Sequence, residues 1–252
     1  RMRVVTNLDV GATILNFFGI RNLPGQGGAP VFSIAGRDGV EEIINFNEKL
    51  VEIFNQRGFL LRSYVTMLTI ILLTSLGQLI LNRKHLWLGR ILLIFAMSVP
   101  LAFLLLSLIH QPSTLRSSLV VIIIASACTA LVCWAFSNTR GRIIAIACIT
   151  AIALVVDQWT GMNLIQGSPL GYDVISAARF YGIGNEYMGI LIGAACTGGT
   201  GIIEGMKSHR RFKHDMPVII GWAVVLLTLL SPSIGANVGG AIAGFFAFSI
   251  TV

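Results

Sequence analysis

LVVIIIASACTALVCWAF-SNTRGR-IIAIACITAIALVV, residues 119–156, sets the class of this chain: two apolar runs joined by a short linker that carries Arg140 and Arg142. A helix needs about 20 apolar residues to cross ~30 Å of hydrocarbon. The same alternation extends both ways, from Gly58 to Val252, and marks candidate spans at 59–81, 87–109, 119–136, 143–156, 184–203, 218–230 and 238–252. The interruptions are too brief to be folded domains. Charged residues fall to 12% and mean hydropathy reaches +0.81, values a soluble core of this size does not require. The expected fold class is an all-α polytopic membrane protein with about seven transmembrane helices. Runs 143–156 and 218–230 are short, which leaves open a tilted, re-entrant or loop-extended course for them.

Basic residues sort the connecting loops into two sets. Arg83, Lys84 and Arg90 surround the first, Arg140 and Arg142 lie in the third, and Lys207, Arg210, Arg211 and Lys213 in the fifth. The second loop has only Arg116, the fourth only Arg179, and the sixth no basic residue. Short cytoplasmic loops carry the excess of Lys and Arg. The odd loops are therefore expected on the cytoplasmic side, and residues 1–57 on the opposite side of the membrane. Arg57 and Arg62, on the outer flank of the first span, run against this pattern.

The formal net charge of +7 arises in the membrane part, because Asp9, Asp38, Glu41, Glu42, Glu48 and Glu52 balance the basic residues of the first 63. Basic residues that flank apolar spans serve topology and anionic headgroups, so the expected partner is the lipid bilayer and not nucleic acid. Cys128, Cys133, Cys148 and Cys196 all lie in apolar spans at spacings of no metal or disulfide framework. His85, His110, His209 and His214 are scattered over loops on opposite sides. No metal site is expected here, and no cofactor. Arg1 and Val252 read as internal to a longer chain, with the bundle cut at its carboxyl end.

Residues 1–57 read as the end of a soluble domain, and 58–252 as the bundle. Residues 2–5 form a β-like run, and Asn7 or Asp9 can cap a helix running to Phe18 that Gly19 ends. Val40 to Phe54 is amphipathic, with Ile43, Phe46, Leu50 and Phe54 on one face. Its opposite face is acidic, which favours packing on protein over lying on lipid.

Thr6-Asn7-Leu8-Asp9-Val10-Gly11-Ala12-Thr13-Ile14-Leu15, with Gly19 close behind, resembles the stretch near the carboxyl end of alkaline-phosphatase-superfamily domains. There a strand enters a helix through a pattern like T-N-x-D-x-x-P-T-I-L. Gly11-Ala12 departs from the usual Ala-Pro pair. The resemblance implies that residues 1–57 end an α/β extracytoplasmic domain. That domain's nucleophile and divalent metal would lie upstream of Arg1, with Asp9 a helix cap and not a metal ligand.

Two further strings attract attention. Ala178 to Gly189 (ARFYGIGNEYMG) places Arg179 and Glu186 at the mouth of an apolar span, where ionisable groups are costly and mark functional sites by default. A structural ion pair with glycines for tight packing is the competing reading. The string resembles one in bacterial multi-pass membrane proteins that follow an alkaline-phosphatase-like domain; no residue role is carried over. Ser231 to Gly240 (SPSIGANVGG) echoes it, with Ile234-Gly235 and Gly240 matching Ile183-Gly184 and Gly189. Two helix amino termini opening toward the same side form an anion site. A phosphate-bearing or lipid-linked ligand is the natural occupant, and Arg179, Gly182, Gly184, Asn185, Glu186, Gly235 and Asn237 are its candidate contacts. Trp159 and Tyr172, in the same outer region, read as interfacial anchors, while Gly198-Gly199-Thr200-Gly201 reads as helix packing.

No nucleophile with an adjacent base is recognisable, so this stretch alone is not expected to be catalytic. The leading expectation is the membrane part of an extracytoplasmic phospho- or sulfo-hydrolase or transferase acting on an anionic, lipid-linked envelope substrate. A transporter or flippase of such a solute is the alternative, and a plain anchor the third.

Overall fold

The computed structural model describes residues 7–20, 29–32, 40–80, 87–109, 113–173, 175, 182–206 and 215–251. Every regular element among them is a helix. In chain order these are α1 (Asn7–Phe17), α2 (Val40–Ile80), α3 (Trp87–Leu106), α4 (Thr114–Ala135), α5 (Thr139–Trp159), α6 (Asn163–Gln166), α7 (Asn185–Met206), α8 (Met216–Leu230) and α9 (Val238–Thr251). Five helices are long and apolar enough to cross a membrane: Ile44–Ile80, Trp87–Leu106, Thr114–Ala135, Thr139–Trp159 and Asn185–Gly205. This is the architecture of an all-α, multi-pass membrane protein. The apolar helices α8 and α9 have 15 and 14 residues. At 1.5 Å per residue they reach roughly 22 and 21 Å, less than the ~30 Å of hydrocarbon.

Contacts divide the chain into two units, Arg1–Glu48 and Lys49–Val252. The amphipathic segment and the first span form one unbroken 41-residue helix, so the boundary read at 57/58 falls within it. Gly58 disfavours a helix by only about 1 kcal/mol, and no proline or cap interrupts the sequence there. Run 143–156 likewise grows to Thr139–Trp159. The Asn138 side chain accepts the Gly141 N–H at its start, a cap that hydropathy alone does not see.

In the first unit, α1 ends as foreseen at Gly19. Its φ is +70°, and the amides of Gly19 and Ile20 donate to the carbonyls of Asn16 and Leu15, a Schellman closure. Asp9 is not the cap. It stands in the first turn of α1, where the helix dipole favours a carboxylate, and accepts the Ala29 N–H at 2.8 Å. Thr13 Oγ1 likewise accepts the Val31 N–H at 2.9 Å. The β-like run at 2–5 lies outside the described residues, as does the Ile43 side chain.

In the second unit, α5 packs on α7 and α3, α3 on α4, and α7 on α8 and α9. Small residues set the closest approaches. A Cβ on Gly198 would lie 2.7 Å from Cys148 Sγ, one on Gly199 2.7 Å from the Trp222 indole, and one on Gly201 2.3 Å from Ile144 Cγ1. Trp222 donates its indole N–H to the Ala195 carbonyl at 2.9 Å and stacks on Phe248 with ring centroids 5.1 Å apart. The 198–201 string is thus a packing surface. Within α3, Pro100 has no N–H to offer the Ala96 carbonyl, and the Tyr64 hydroxyl of α2 donates to that carbonyl at 3.4 Å.

Gly199→Ala, which drives a methyl into a rigid indole, should lower stability by roughly 1–3 kcal/mol. Gly205→Ala, where a Cβ meets nothing within 4 Å, should be neutral or mildly stabilising. Thermal unfolding of the detergent-purified pair, read by tryptophan fluorescence, checks the contrast.

Candidate functional site

The two glycine strings meet. Helix α8 ends at Leu230, and the chain folds back through residues 231–237 before α9 starts. The amides of Gly235 and Asn237 donate to the carbonyls of Thr228 and Leu229, both at 2.9 Å, which draws the return loop onto the end of α8. The segment entering α7 crosses that loop, where the Ile183 N–H donates to the Gly235 carbonyl at 2.9 Å. Asn237 fastens the crossing. Its amide nitrogen donates to the Ile183 carbonyl at 3.2 Å and to Asn185 Oδ1 at 3.4 Å. Its Oδ1 accepts the Gly240 N–H at 2.9 Å, capping α9.

Glycine is required where these backbones touch. Gly182 has φ +79°, and a Cβ there would lie 2.3 Å from the Gly235 carbonyl oxygen. A Cβ on Gly235 would lie 2.2 Å from the Thr228 carbonyl oxygen. Gly184 is different, since a Cβ there would make only ordinary contacts, with Glu186 Oε2 at 3.4 Å and Tyr172 N at 3.5 Å.

A second layer of polar contacts supports the crossing. Asp157, near the end of α5, accepts the amide protons of Leu164 and Ile165, both at 2.9 Å, and so turns the chain into α6. Trp159 donates its indole N–H to Thr228 Oγ1 at 2.9 Å. Tyr187, fully buried in the first turn of α7, donates its hydroxyl to the Pro100 carbonyl at 3.2 Å and shares a 2.6 Å hydrogen bond with Ser168. Gln158 is 2% exposed, and its side-chain amide has no partner among the described residues. Tyr172, read as an interfacial anchor, is instead a core residue at 8% exposure.

Glu186 and Arg57 supply the charge at this end of the bundle. They form an ion pair at 2.8 Å between α7 and α2. The Glu186 side chain is 43% exposed and that of Arg57 18%, so the carboxylate remains open to water. Nearby, Lys49 donates to the Ser107 carbonyl at 2.9 Å, and the Ser117 hydroxyl donates to Gln56. Two crevices of about 20 Å³ open here, one beside Lys49 and Gln56, the other beside Arg57, Ser168 and Asp173. Each has room for about one water, too little for a larger ligand.

Of the residues singled out from sequence, Gly182, Gly184, Asn185, Glu186, Gly235 and Asn237 come together, and Arg179 lies outside the described residues. Asn237 is buried and committed to backbone groups and to Asn185 Oδ1, which leaves Asn185 and Glu186 as the exposed members. Arg57 was missed because it precedes Glu186 by 129 residues. Its position on the flank expected to lack basic residues was the available signal. Among the described residues no three His, Cys, Asp or Glu side chains cluster as a metal site.

Fold and site together define a multi-pass helical membrane bundle with a polar end organised by two crossing glycine loops. No family model, curated protein or solved structure matches the chain.

Gly235→Ala should destabilise the bundle by roughly 1–3 kcal/mol, since a backbone carbonyl cannot yield as a side chain does. Gly189→Ala, with nothing within 4 Å of its Cβ, is the matched control. Asn237→Ala, which leaves buried partners unpaired, should cost about 1–3 kcal/mol. Equal midpoints for all three in thermal unfolding would refute the crossing.

Proposed function

We propose that this chain is the membrane part of an extracytoplasmic phospho- or sulfo-hydrolase or transferase of the bacterial cell envelope. Its Glu186 end would hold the anionic, lipid-linked end of the substrate. One observation carries this reading: the crossing of residues 182–184 with 231–237 sets the starts of α7 and α9 side by side, next to the Arg57–Glu186 pair. Helix starts present unpaired N–H groups and the positive end of the dipole. A phosphate arriving there competes with Glu186 for Arg57, while Asn185 offers a neutral hydrogen bond.

The catalytic groups and divalent metal belong, in this reading, to an alkaline-phosphatase-like α/β domain of which residues 6–20 resemble the carboxyl end. The short helices α8 and α9 complete seven crossings, with the Glu186 end outside. The Arg140–Glu204 pair and the basic sequence at 83–84 and 207–213 then mark the cytoplasmic side, in line with the positive-inside tendency. Thiols introduced as Asp173→Cys and Ile234→Cys should react with an impermeant maleimide on intact cells, and Arg211→Cys should not.

The ligand reading makes a prediction with a definite sign. In native mass spectrometry, a polyprenyl phosphate should bind the purified chain and the uncharged polyprenol should not. Glu186→Gln, which frees Arg57, should tighten phosphate binding several-fold, and Arg57→Gln should weaken it about tenfold, roughly 1.4 kcal/mol, near the lower end for one hydrogen bond to a charged group. Equal binding of phosphate and alcohol sinks the reading.

The interruption between α8 and α9 at 231–237, crossed by the irregular segment 182–184, also favours a second one. Transporters bind solutes at such discontinuities, and Glu186 is placed to couple movement to a proton. Flipping of a lipid-linked phosphate that survives removal of any upstream domain, yet is lost in Glu186→Gln, selects the transporter.

A further inference from the structure

A groove of about 560 Å³ runs between α2 and α3, lined by Phe59, Met67 and Ile70 from α2 and by Leu92 and Phe95 from α3, with Arg62 at its upper end. Arg62, Thr66 and Ile70 succeed one another at four-residue spacing and share a face of α2. Leu60 and Tyr64 turn toward the core on another, where the Tyr64 ring meets Phe103 edge-on at 5.8 Å. Arg62 donates its Nε proton to the Gly58 carbonyl at 2.8 Å and pairs with no carboxylate among the described residues.

Distance along the helix fixes the depth. Arg62 stands 18 residues before Ile80, roughly 27 Å, close to the ~30 Å hydrocarbon thickness. If Ile80 reaches one interface, the guanidinium lies at the headgroup level of the opposite leaflet. The lining from Phe59 to Ile71 extends roughly 18 Å, matching the ~15 Å of a single leaflet. A cation at headgroup level above an apolar cleft one leaflet deep is complementary to an anionic lipid, and a cleft of about 560 Å³ has room for an acyl chain.

We propose that this groove is a binding site for an anionic glycerophospholipid, with its phosphate on Arg62 and an acyl chain between α2 and α3. The site stands apart from the Glu186 end and does not depend on the ligand proposed there. Arg62, which opposes the loop-charge pattern as a topology signal, acquires a role as a headgroup contact.

The test uses the full chain in phosphatidylcholine nanodiscs containing a minority of phosphatidylglycerol with a photoactivatable acyl chain, and mass spectrometry to map the cross-links. Label should concentrate on residues 66–71 and 92–95. Arg62→Gln should reduce it there at least threefold, while Arg62→Lys retains it. Thr66→Trp, which fills the groove and keeps the charge, should also remove it. Photoactivatable phosphatidylcholine should label the same residues less. Label spread evenly over the lipid-facing helices, no response to Arg62→Gln or Thr66→Trp, or equal labelling by both headgroups overturns the proposal.

Discussion

Hydrocarbon offers no water to a backbone amide, so each break in a membrane helix must be satisfied by the protein itself. That constraint accounts for the side chains that meet freed backbone groups where these helices are interrupted. Where α8 stops and α9 starts, the freed groups are taken up by the amides of Gly235 and Asn237, by the Asn237 side chain and by the incoming Ile183. Where α5 gives way to α6, the Asp157 carboxylate takes two amides at once. Within α3, proline removes a donor, and the Tyr64 hydroxyl of α2 meets the carbonyl left over. The pattern is one of polar side chains placed at backbone discontinuities, and it gathers those side chains at one end.

Close approach makes such repair possible. Two backbones reach hydrogen-bond distance only where no Cβ stands between them, which is why Gly182 faces Gly235 and Gly235 faces Thr228. The same physics recurs deeper in the bundle with a different result. At Gly198, Gly199 and Gly201 the absent Cβ makes room for side chains of Cys148, Trp222 and Ile144, so glycine there tightens helix packing without breaking a helix. One residue type therefore marks both the most regular and the least regular parts of the fold.

This difference bears on how much could be read from sequence. The apolar runs were legible because length and hydropathy follow directly from bilayer thickness. Their ends were not, because charge was taken as a stop. Arg140 and Arg142 nevertheless lie inside α5 behind the Asn138 cap, and α2 passes through Arg57 and Arg62 without a break. Long basic side chains carry their charge toward water from helical positions. The echo between Ile183-Gly184 and Ile234-Gly235 falls on two segments that meet, each leading into the start of a helix, with the Ile183 N–H on the Gly235 carbonyl. Tyr172 was misplaced at the interface, because an amphipathic ring suits an interface and a core equally, and only packing beside Gly184 decides between them.

The Arg57–Glu186 pair shows what a linear pattern cannot hold. Counted along the chain, Arg57 is a basic residue on the flank where such residues are scarce, and Glu186 an acid at the start of an apolar helix. Each alone is unfavourable. Joined at 2.8 Å, each offsets the charge of the other, while Arg57 still counts against the loop pattern, which acidic residues hardly alter. A partly exposed pair of this kind contributes little stability, since water screens it and two long side chains must be ordered. Its value lies in position: it ties the mostly exposed α2 to the first turn of α7 beside the glycine crossing, and leaves a carboxylate facing water there.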